Sequence, residues 1–467
     1  MATAKSQKLT AKNLIAPCLS ALMFALAFSR GNLGILAWFC LVPLFLELNN
    51  KTRLQRWLLF LLFAILFFLG TLYWLVHVSL VGLLCLCVFL GLEFSLFALL
   101  MPAPGDKHSL LLIPLLWIIF ERLRGFLFFG FGWGLIGYTQ FRNLALIQSA
   151  QLFGVWGISF LIVLINVGLT HAVNSKFRVS LKKSFIFIPA MCLILVYMFG
   201  YYSLRRVFPS PEITISLIQA NIPQEQKWDS KYSEAIIKKF SILSKKAMAD
   251  KPELIVWPET SVPGYLLDET KFYLKITNLA RELKASLLVG SPREDYTYKK
   301  YYNTAFLFSP DGHLQCFHDK LHLVPFGEYI PHKNLFSFLE NTQIADFSAG
   351  ERYTIFEVTG HQGKKARFGV LICFEDVFPC LVRNFRGKGA DFLVTITNEA
   401  WFKNSSEPIQ HTAISVFRAI ENRCWFLRCA NTGISCFIDP HGRIRKKIEQ
   451  GGDDIFVQGI AAMNLSD

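Results

Sequence analysis

Charge is scarce in this sequence. Only 18% of its 467 residues are Asp, Glu, Lys or Arg, against 53% hydrophobic and 15% aromatic, with 44 Phe. A chain so poor in charge and so rich in Phe is not an ordinary soluble protein, and part of it belongs in lipid. Paired cysteine motifs are missing as well. The eleven cysteines are scattered and none forms a CxxC pair, which argues against zinc and thioredoxin-like sites. Cys85-Leu86-Cys87 lies in an apolar run and reads as core rather than ligand. Helix-turn-helix and RNP-like patterns are absent, as are basic tracts interleaved with aromatics, so the net charge of +14 does not point to nucleic acid. Ten histidines are present, yet none stands in a Cys/His context that suggests a nucleophile and its base.

What the first 200 residues do contain is apolar segments joined by short loops. The pattern predicts spans near Leu14–Phe28, Leu33–Leu48, Leu54–Leu75, Leu80–Met101, Leu110–Phe120, Gln151–Val173 and Phe185–Tyr202. Several are shorter than the ~20 residues that cross a bilayer squarely. The first two, joined by Ser29-Arg30-Gly31-Asn32, read as a tight hairpin of short helices. The first segment lacks a small-x-small cleavage site and is read as an anchor, not a signal peptide. Basic residues alternate between loops. Lys5, Lys8, Lys12, Lys51, Arg53, Arg56, Lys107, Lys176, Arg178, Lys182 and Lys183 fall on one side, and Arg30, Arg122, Arg124 and Arg142 on the other. That excess predicts a cytoplasmic N-terminus and, with about seven spans, a C-terminal half on the outside. Glu121-Arg122-Leu123-Arg124-Gly125 interrupts the apolar pattern. It reads either as an interfacial segment lining an entrance for lipid or as a loop with its Arg residues on head groups.

From Pro209 the texture changes to short strands alternating with amphipathic helices, an α/β layout. We therefore expect a multi-span helical membrane domain over residues 1–207 and an α/β domain over 208–467. Strands are expected at Ile213–Gln219, Leu254–Trp257, Ser286–Gly290, Phe392–Thr397, Cys424–Ala430 and Ile434–Ile438, and a strand pair around Pro310-Asp311-Gly312. Ser233–Met248, Thr270–Leu283 and Pro408–Asn422 have helical spacing. Some pairing among the C-terminal cysteines is open if this half is extracytoplasmic.

Within it, the apolar run Gly369–Ile372 ends in Cys373, followed by Phe374, Glu375 and Asp376. Taken alone, a cysteine is more often a buried structural residue than a nucleophile. A thiol at the end of a strand, with Phe374–Leu381 turning into a helix, would lie at the sheet rim beside a helix dipole that favours a thiolate. A thiol also needs a base and an oxyanion partner. Two stretches offer them: Leu254-Ile255-Val256-Trp257-Pro258-Glu259, and His318-Asp319-Lys320 running on to Val324-Pro325-Phe326-Gly327-Glu328.

The ordered set Glu259, Lys320, Cys373 resembles the nitrilase superfamily. Tyr302-Asn303-Thr304, Thr397-Asn398-Glu399-Ala400-Trp401-Phe402, Arg418-Ala419-Ile420-Glu421-Asn422 and Ala430-Asn431-Thr432-Gly433 carry the likeness further. With the membrane half, Leu217–Gln224, Lys227-Trp228 and Phe120–Gly125, nearly the whole chain resembles the apolipoprotein N-acyltransferases. The resemblance implies an αββα nitrilase-like catalytic domain on the periplasmic side of a bacterial inner membrane. It implies phospholipid as acyl donor and a diacylglyceryl-lipoprotein as acceptor, and calls for no cofactor, metal or nucleic acid. Cys373 would be the nucleophile, Glu259 the base, and Lys320 the oxyanion partner that also helps hold a thiolate. Glu328 and Glu375 would be supporting carboxylates, and Trp228 and Asn303 would line the site.

The chain departs from the family at Phe374, where Tyr is frequent, and at Glu399, where Asp is usual. The family's further span has no counterpart after Ile460. A membrane-tethered amidase would use the same triad with water as acceptor. A transporter with a degenerate nitrilase domain is disfavoured by the intact triad. The apolar stretches Gly264-Tyr265-Leu266-Leu267 and Pro331–Leu339, with Leu335, Phe336, Phe338 and Leu339, favour a lipid substrate and suggest a wall for the acyl pocket.

Overall fold

The computed structural model describes residues 9–127, 130–173, 179–331 and 346–467. These form two units: the residues up to Arg206 together with Ser405–Ala413, and the remainder from Val207.

The first unit is helical. Its helices are α1 (Ala11–Ala27), α2 (Val42–Leu48), α3 (Arg53–Thr71), α4 (Leu80–Leu100), α5 (Ser109–Arg124), α6 (Leu144–Ile147), α7 (Ala150–Val173) and α8 (Val179–Ser203). Among the described residues four helices are long and apolar enough to cross a membrane by length and composition: α3, α4, α7 and the Ser184–Ser203 part of α8. The basic residues expected to orient the chain at positions 5, 8, 176 and 178 lie outside the described residues. Thr52 caps α3 by accepting from the Gln55 N–H. Phenylalanine supplies the packing. Phe24, Phe60, Phe94 and Phe97 pair with Trp117, while Phe63 packs on Phe60 and Phe67 on Phe24.

Two expectations change here. Leu33–Leu48 is not one helix but a 3-10 turn, Gly34–Trp38, followed by α2. The Asn166 side chain bonds the Ala37 carbonyl and the Leu41 N–H, taking backbone groups that a continuous helix would use. Glu121 and Arg124 are buried, so neither alternative given for this segment describes them. Glu121 accepts from Trp117 Nε1 and the Ile136 N–H at 3.0 Å each, and Arg124 donates to the Phe131 and Trp133 carbonyls. They pin the non-helical backbone after α5, where water would not reach it.

The second unit is an αββα sandwich. Its elements are β1 (Thr214–Gln219), α9 (Gln224–Lys227), α10 (Ser233–Ala247), β2 (Leu254–Val256), α11 (Thr270–Leu283), β3 (Ser286–Asp295), β4 (Lys300–Phe308) and β5 (Leu314–Asp319). They continue with β6 (Ile355–Thr359), β7 (Lys365–Ile372), α12 (Pro379–Gly387), β8 (Phe392–Thr397), α13 (Glu407–Asn422, from Ile414 on in this unit), β9 (Trp425–Ala430), β10 (Cys436–Ile438), β11 (Ile444–Lys447) and β12 (Gly459–Asn464). One sheet runs β12-β1-β2-β3-β4-β5 and the other β11-β10-β9-β8-β7-β6. Strands β1, β2 and β3 are parallel, as are β7, β8 and β9.

The core between the sheets draws Ile215, Leu217 and Val256 from one and Val370, Ile372 and Val394 from the other. A second core joins the first sheet to α10 and α11 through Trp257, Phe240, Leu266 and Ile276. Leu266 is fully buried there, so it is not part of an acyl-pocket wall. Leu267, of the same stretch, is exposed, and Leu335, Phe336, Phe338 and Leu339 lie outside the described residues. All eleven cysteines are free.

Candidate active site

Parallel strands place their carboxyl ends on one edge of a sheet, where loops can gather functional groups. Glu259 follows β2, Cys373 follows β7, and Asn398 follows β8. Lys320 is the first residue after β5, and Asn303 lies in β4 beside it. The Asn303 carbonyl accepts from the Lys320 N–H at 2.8 Å, while the Lys320 carbonyl accepts from the Gly350 N–H at 2.7 Å. The lysine backbone is therefore held from both sides.

Glu259 is almost fully buried and both its oxygens are engaged. Oε1 accepts from Asn303 Nδ2 at 2.7 Å, and Oε2 accepts from the Asn398 N–H at 2.9 Å. Lys320 Nζ lies 3.8 Å from Oε1. The Lys320 amine donates to both oxygens of Glu328, at 2.9 and 2.8 Å. Glu328 also accepts from the Val324 N–H and from Asn303 Nδ2. Burial works against the Lys320 charge. The carboxylates of Glu328 and Glu259 and the Cys373 sulfur more than offset it, so its pKa stands above the usual lysine value.

Cys373 adopts a left-handed backbone, φ 53°, at the turn out of β7. A non-glycine residue held there is strained, and such strain is tolerated where surrounding bonds over-determine the turn. Glu375 supplies those bonds. It accepts from the Ile372 N–H at 2.7 Å, the Leu321 N–H at 2.6 Å and the His322 N–H at 3.1 Å, tying the cysteine turn to the lysine loop. Burial pushes the Glu375 carboxyl up to about 7 against these bonds and Lys320.

Burial first, and the Glu259 carboxylate second, raise the Cys373 pKa well above the usual thiol range, with Lys320 and Thr397 opposing. The expected helix over Phe374–Leu381 is instead a 3-10 turn, Cys373–Val377, and α12 begins only at Pro379. Phe378 is extended, as a residue before proline prefers, which separates the two. The helix dipole therefore does not begin at the sulfur. The site thus disfavours a thiolate at this sulfur, and attack by a thiol calls for a base to take its proton.

Gly290 of β3 sets the position of Glu259. A Cβ there would stand 2.6 Å from the Pro258 carbonyl oxygen and 2.8 Å from the Glu259 Cα. Gly290→Ala is expected to displace Glu259 and lower turnover by about a hundredfold, because small misplacements of a reacting group are costly. Turnover beside a melting curve checks this, and wild-type turnover with an alanine in place would show that the close approach is unimportant.

Of the expected residues, Glu259, Lys320, Glu328 and Asn303 form one hydrogen-bonded cluster with Cys373 in its electrostatic field. Trp228 is 52% exposed and makes none of the hydrogen bonds described for this cluster. Its neighbour Lys227 turns inward instead, donating to the Glu259 carbonyl at 2.9 Å. Lys227 and Asn398 were both within quoted motifs, but only the tertiary contacts single them out. Glu399 pairs with Arg428 and keeps its carboxylate buried.

Residues 214–466 match the carbon-nitrogen hydrolase family, and residues 20–168 match the apolipoprotein N-acyltransferase N-terminal domain. The apolipoprotein N-acyltransferase of Geobacter metallireducens is 39% identical over 448 residues, covering 91% of this chain and 85% of that protein. The chain belongs to the apolipoprotein N-acyltransferase family. The family member from Chlorobaculum tepidum is 30% identical over 475 residues, covering 93% and 88% of the two chains. Among solved structures, Nit3 of Saccharomyces cerevisiae, a member of branch 10 of the nitrilase superfamily, is 23% identical and covers 54% of this chain and 89% of its own, with a TM-score of 0.41. The chain is thus an acyltransferase of the family, with a nitrilase-fold domain and a helical membrane region.

Proposed function

We propose that this protein transfers an acyl chain from a phospholipid to the N-terminal amine of the diacylglyceryl-cysteine of apolipoproteins. The observation that carries the reading is a strained Cys373 turn whose sulfur lies in the electrostatic field of a hydrogen-bonded carboxylate and a lysine held by carboxylates, in a chain whose two halves both match this family.

In the first half-reaction Glu259 takes the thiol proton as the sulfur attacks the ester carbonyl. Lys320 stabilises the oxyanion. Collapse breaks the ester C–O bond, Glu259 returns the proton to the departing oxygen, and lysophospholipid leaves a thioester on Cys373. In the second, the neutral amine attacks the thioester. Glu259 takes its proton, the C–S bond breaks, and the sulfur recovers the proton as the amide departs. Glu328 keeps the lysine charged and aimed, and Glu375 holds the two loops in register.

Phospholipid alone is expected to yield about one equivalent of lysophospholipid and a persistent acyl adduct on Cys373, as a blocked second step requires. A diacylated lipopeptide with a free amine should then discharge the adduct into an N-acyl product. Continuous release of free fatty acid without lipopeptide product would decide for an amidase-like hydrolase.

We assign residues 1–207 to the membrane domain and 208–467 to the catalytic domain, on the periplasmic side of the inner membrane. The eleven basic residues against four support this orientation. A reporter fused at Asp467 that works only in the cytoplasm would sink it.

A further inference from the structure

Lys227 has no part in the roles assigned above, yet its environment is unusual. It closes the four-residue α9 beyond β1 and is only 2% exposed. Among the described residues no carboxylate stands within salt-bridge distance of its amine. Its one hydrogen bond goes to the carbonyl oxygen of Glu259. Burying an ammonium without a direct partner is costly, so a solvated lysine would be the default at this position.

The bond falls at a constrained point. Thr260, the next residue, is left-handed at φ 45°. Beyond it the Val262 N–H and the Ser261 hydroxyl both donate to the Gly290 carbonyl. The turn carrying Glu259 is thus held by Lys227 on one side and by β3 on the other. Glu259 of the β2 turn and Cys373 of the β7 turn both favour the charged form of Lys227. Lys320 and Glu328 of the β5 loop act on the same two groups. Burial outweighs the favourable charges and pulls the Lys227 amine down to about 7, so its charge is adjustable near neutrality.

We propose that Lys227 is a positioning residue of the transfer reaction: its amine holds the Glu259 turn, and its positive charge assists ionisation of the Cys373 thiol. This rests on the reading of Glu259 as base and Cys373 as nucleophile. The second half of the proposal follows from linkage. If an ionised sulfur favours the charged lysine, a charged lysine favours the ionised sulfur by the same free energy. Lys320, held by two carboxylates, is a fixed charge. Lys227 is the variable one.

The test uses the full chain in detergent. Iodoacetamide labelling of Cys373, read by peptide mass mapping across the alkaline range, gives the pH midpoint of thiol reactivity without any lipid. Acyl adduct formation from phospholipid is measured in parallel. Lys227→Met is expected to slow adduct formation at neutral pH about tenfold and to leave the alkaline midpoint in place, because the lysine is already neutral there. Lys227→Arg, charged at every pH tested, is expected to lower the midpoint by about one pH unit. Slower adduct formation in Lys227→Met together with an unmoved midpoint in Lys227→Arg would reduce Lys227 to a structural prop and overturn the electrostatic role. Unchanged adduct formation in Lys227→Met would overturn the positioning role. If Lys227→Met fails to fold, the Arg arm decides alone, and an unmoved midpoint there refutes the proposal. Failure of the underlying reading shows separately, as a wild-type protein that labels at Cys373 but takes up no acyl group there.

Discussion

Cys373→Ser is expected to lower acyl transfer by on the order of ten thousandfold or more, since removing a nucleophile from a concerted set removes nearly all that the set contributes. A serine hydroxyl releases its proton far less readily than a thiol, and the site already makes the thiol a weak acid. Burial and the Glu259 carboxylate both disfavour negative charge at this position, leaving Lys320 as the principal opposing influence. The strained turn and its Glu375 bonds do not depend on sulfur, so the melting temperature should change little. The mass spectrum after phospholipid treatment should lose the adduct altogether. Cys380→Ser is the control, because that cysteine is exposed and its thiol makes none of the described hydrogen bonds. Transfer by Cys373→Ser within tenfold of wild type would make another residue the nucleophile.

Lys320→Met should be nearly as damaging and should also unsettle the fold. The amine lies 2.8 Å from Glu328 and 3.8 Å from Glu259, with about 1% of its side chain exposed. Removing it leaves two buried carboxylates facing each other without a counter-charge. Breaking a buried pair in this way costs about 3–5 kcal/mol of stability. Loss of the oxyanion partner costs about a thousandfold in turnover. The two effects can be separated. Adding Glu328→Gln to Lys320→Met removes one orphaned charge, so the double variant should regain stability while transfer stays low. Wild-type-like transfer by the more stable double variant would mean that Lys320 serves folding rather than chemistry.

The pairing of sequence and structure divides along a physical line. The membrane half was legible because Leu and Phe runs of membrane length have few soluble explanations. The strands β1, β2 and β8 and the helix α11 were legible because each carries its own periodicity. The three chemical residues were legible because each sits next to a strand end with a stiffening neighbour, in an order that few folds share. Edge strands were harder. The strand β12, Gly459–Asn464, has little hydrophobic pattern of its own and exists through its antiparallel pairing with β1, some 240 residues away. No local signal announces a partner at that distance.

Side-chain direction was beyond the sequence for the same reason. Lys227 and Trp228 are adjacent, and composition favours burying the tryptophan. The structure buries the lysine, because α9 ends where the Glu259 carbonyl offers its amine an acceptor and leaves the indole outside. Leu266 reads as an apolar loop residue open to lipid, but the space between the first sheet and its helices was waiting for it. The sequence by itself determined the membrane half and the α/β half, because residue type and local spacing suffice for these, and its family motifs singled out Glu259, Lys320 and Cys373 as candidates. The upward push on the Cys373 pKa, the bracing by Glu375 and the inward turn of Lys227 were decided only by tertiary structure, because burial and electrostatic coupling depend on groups brought together from distant parts of the chain.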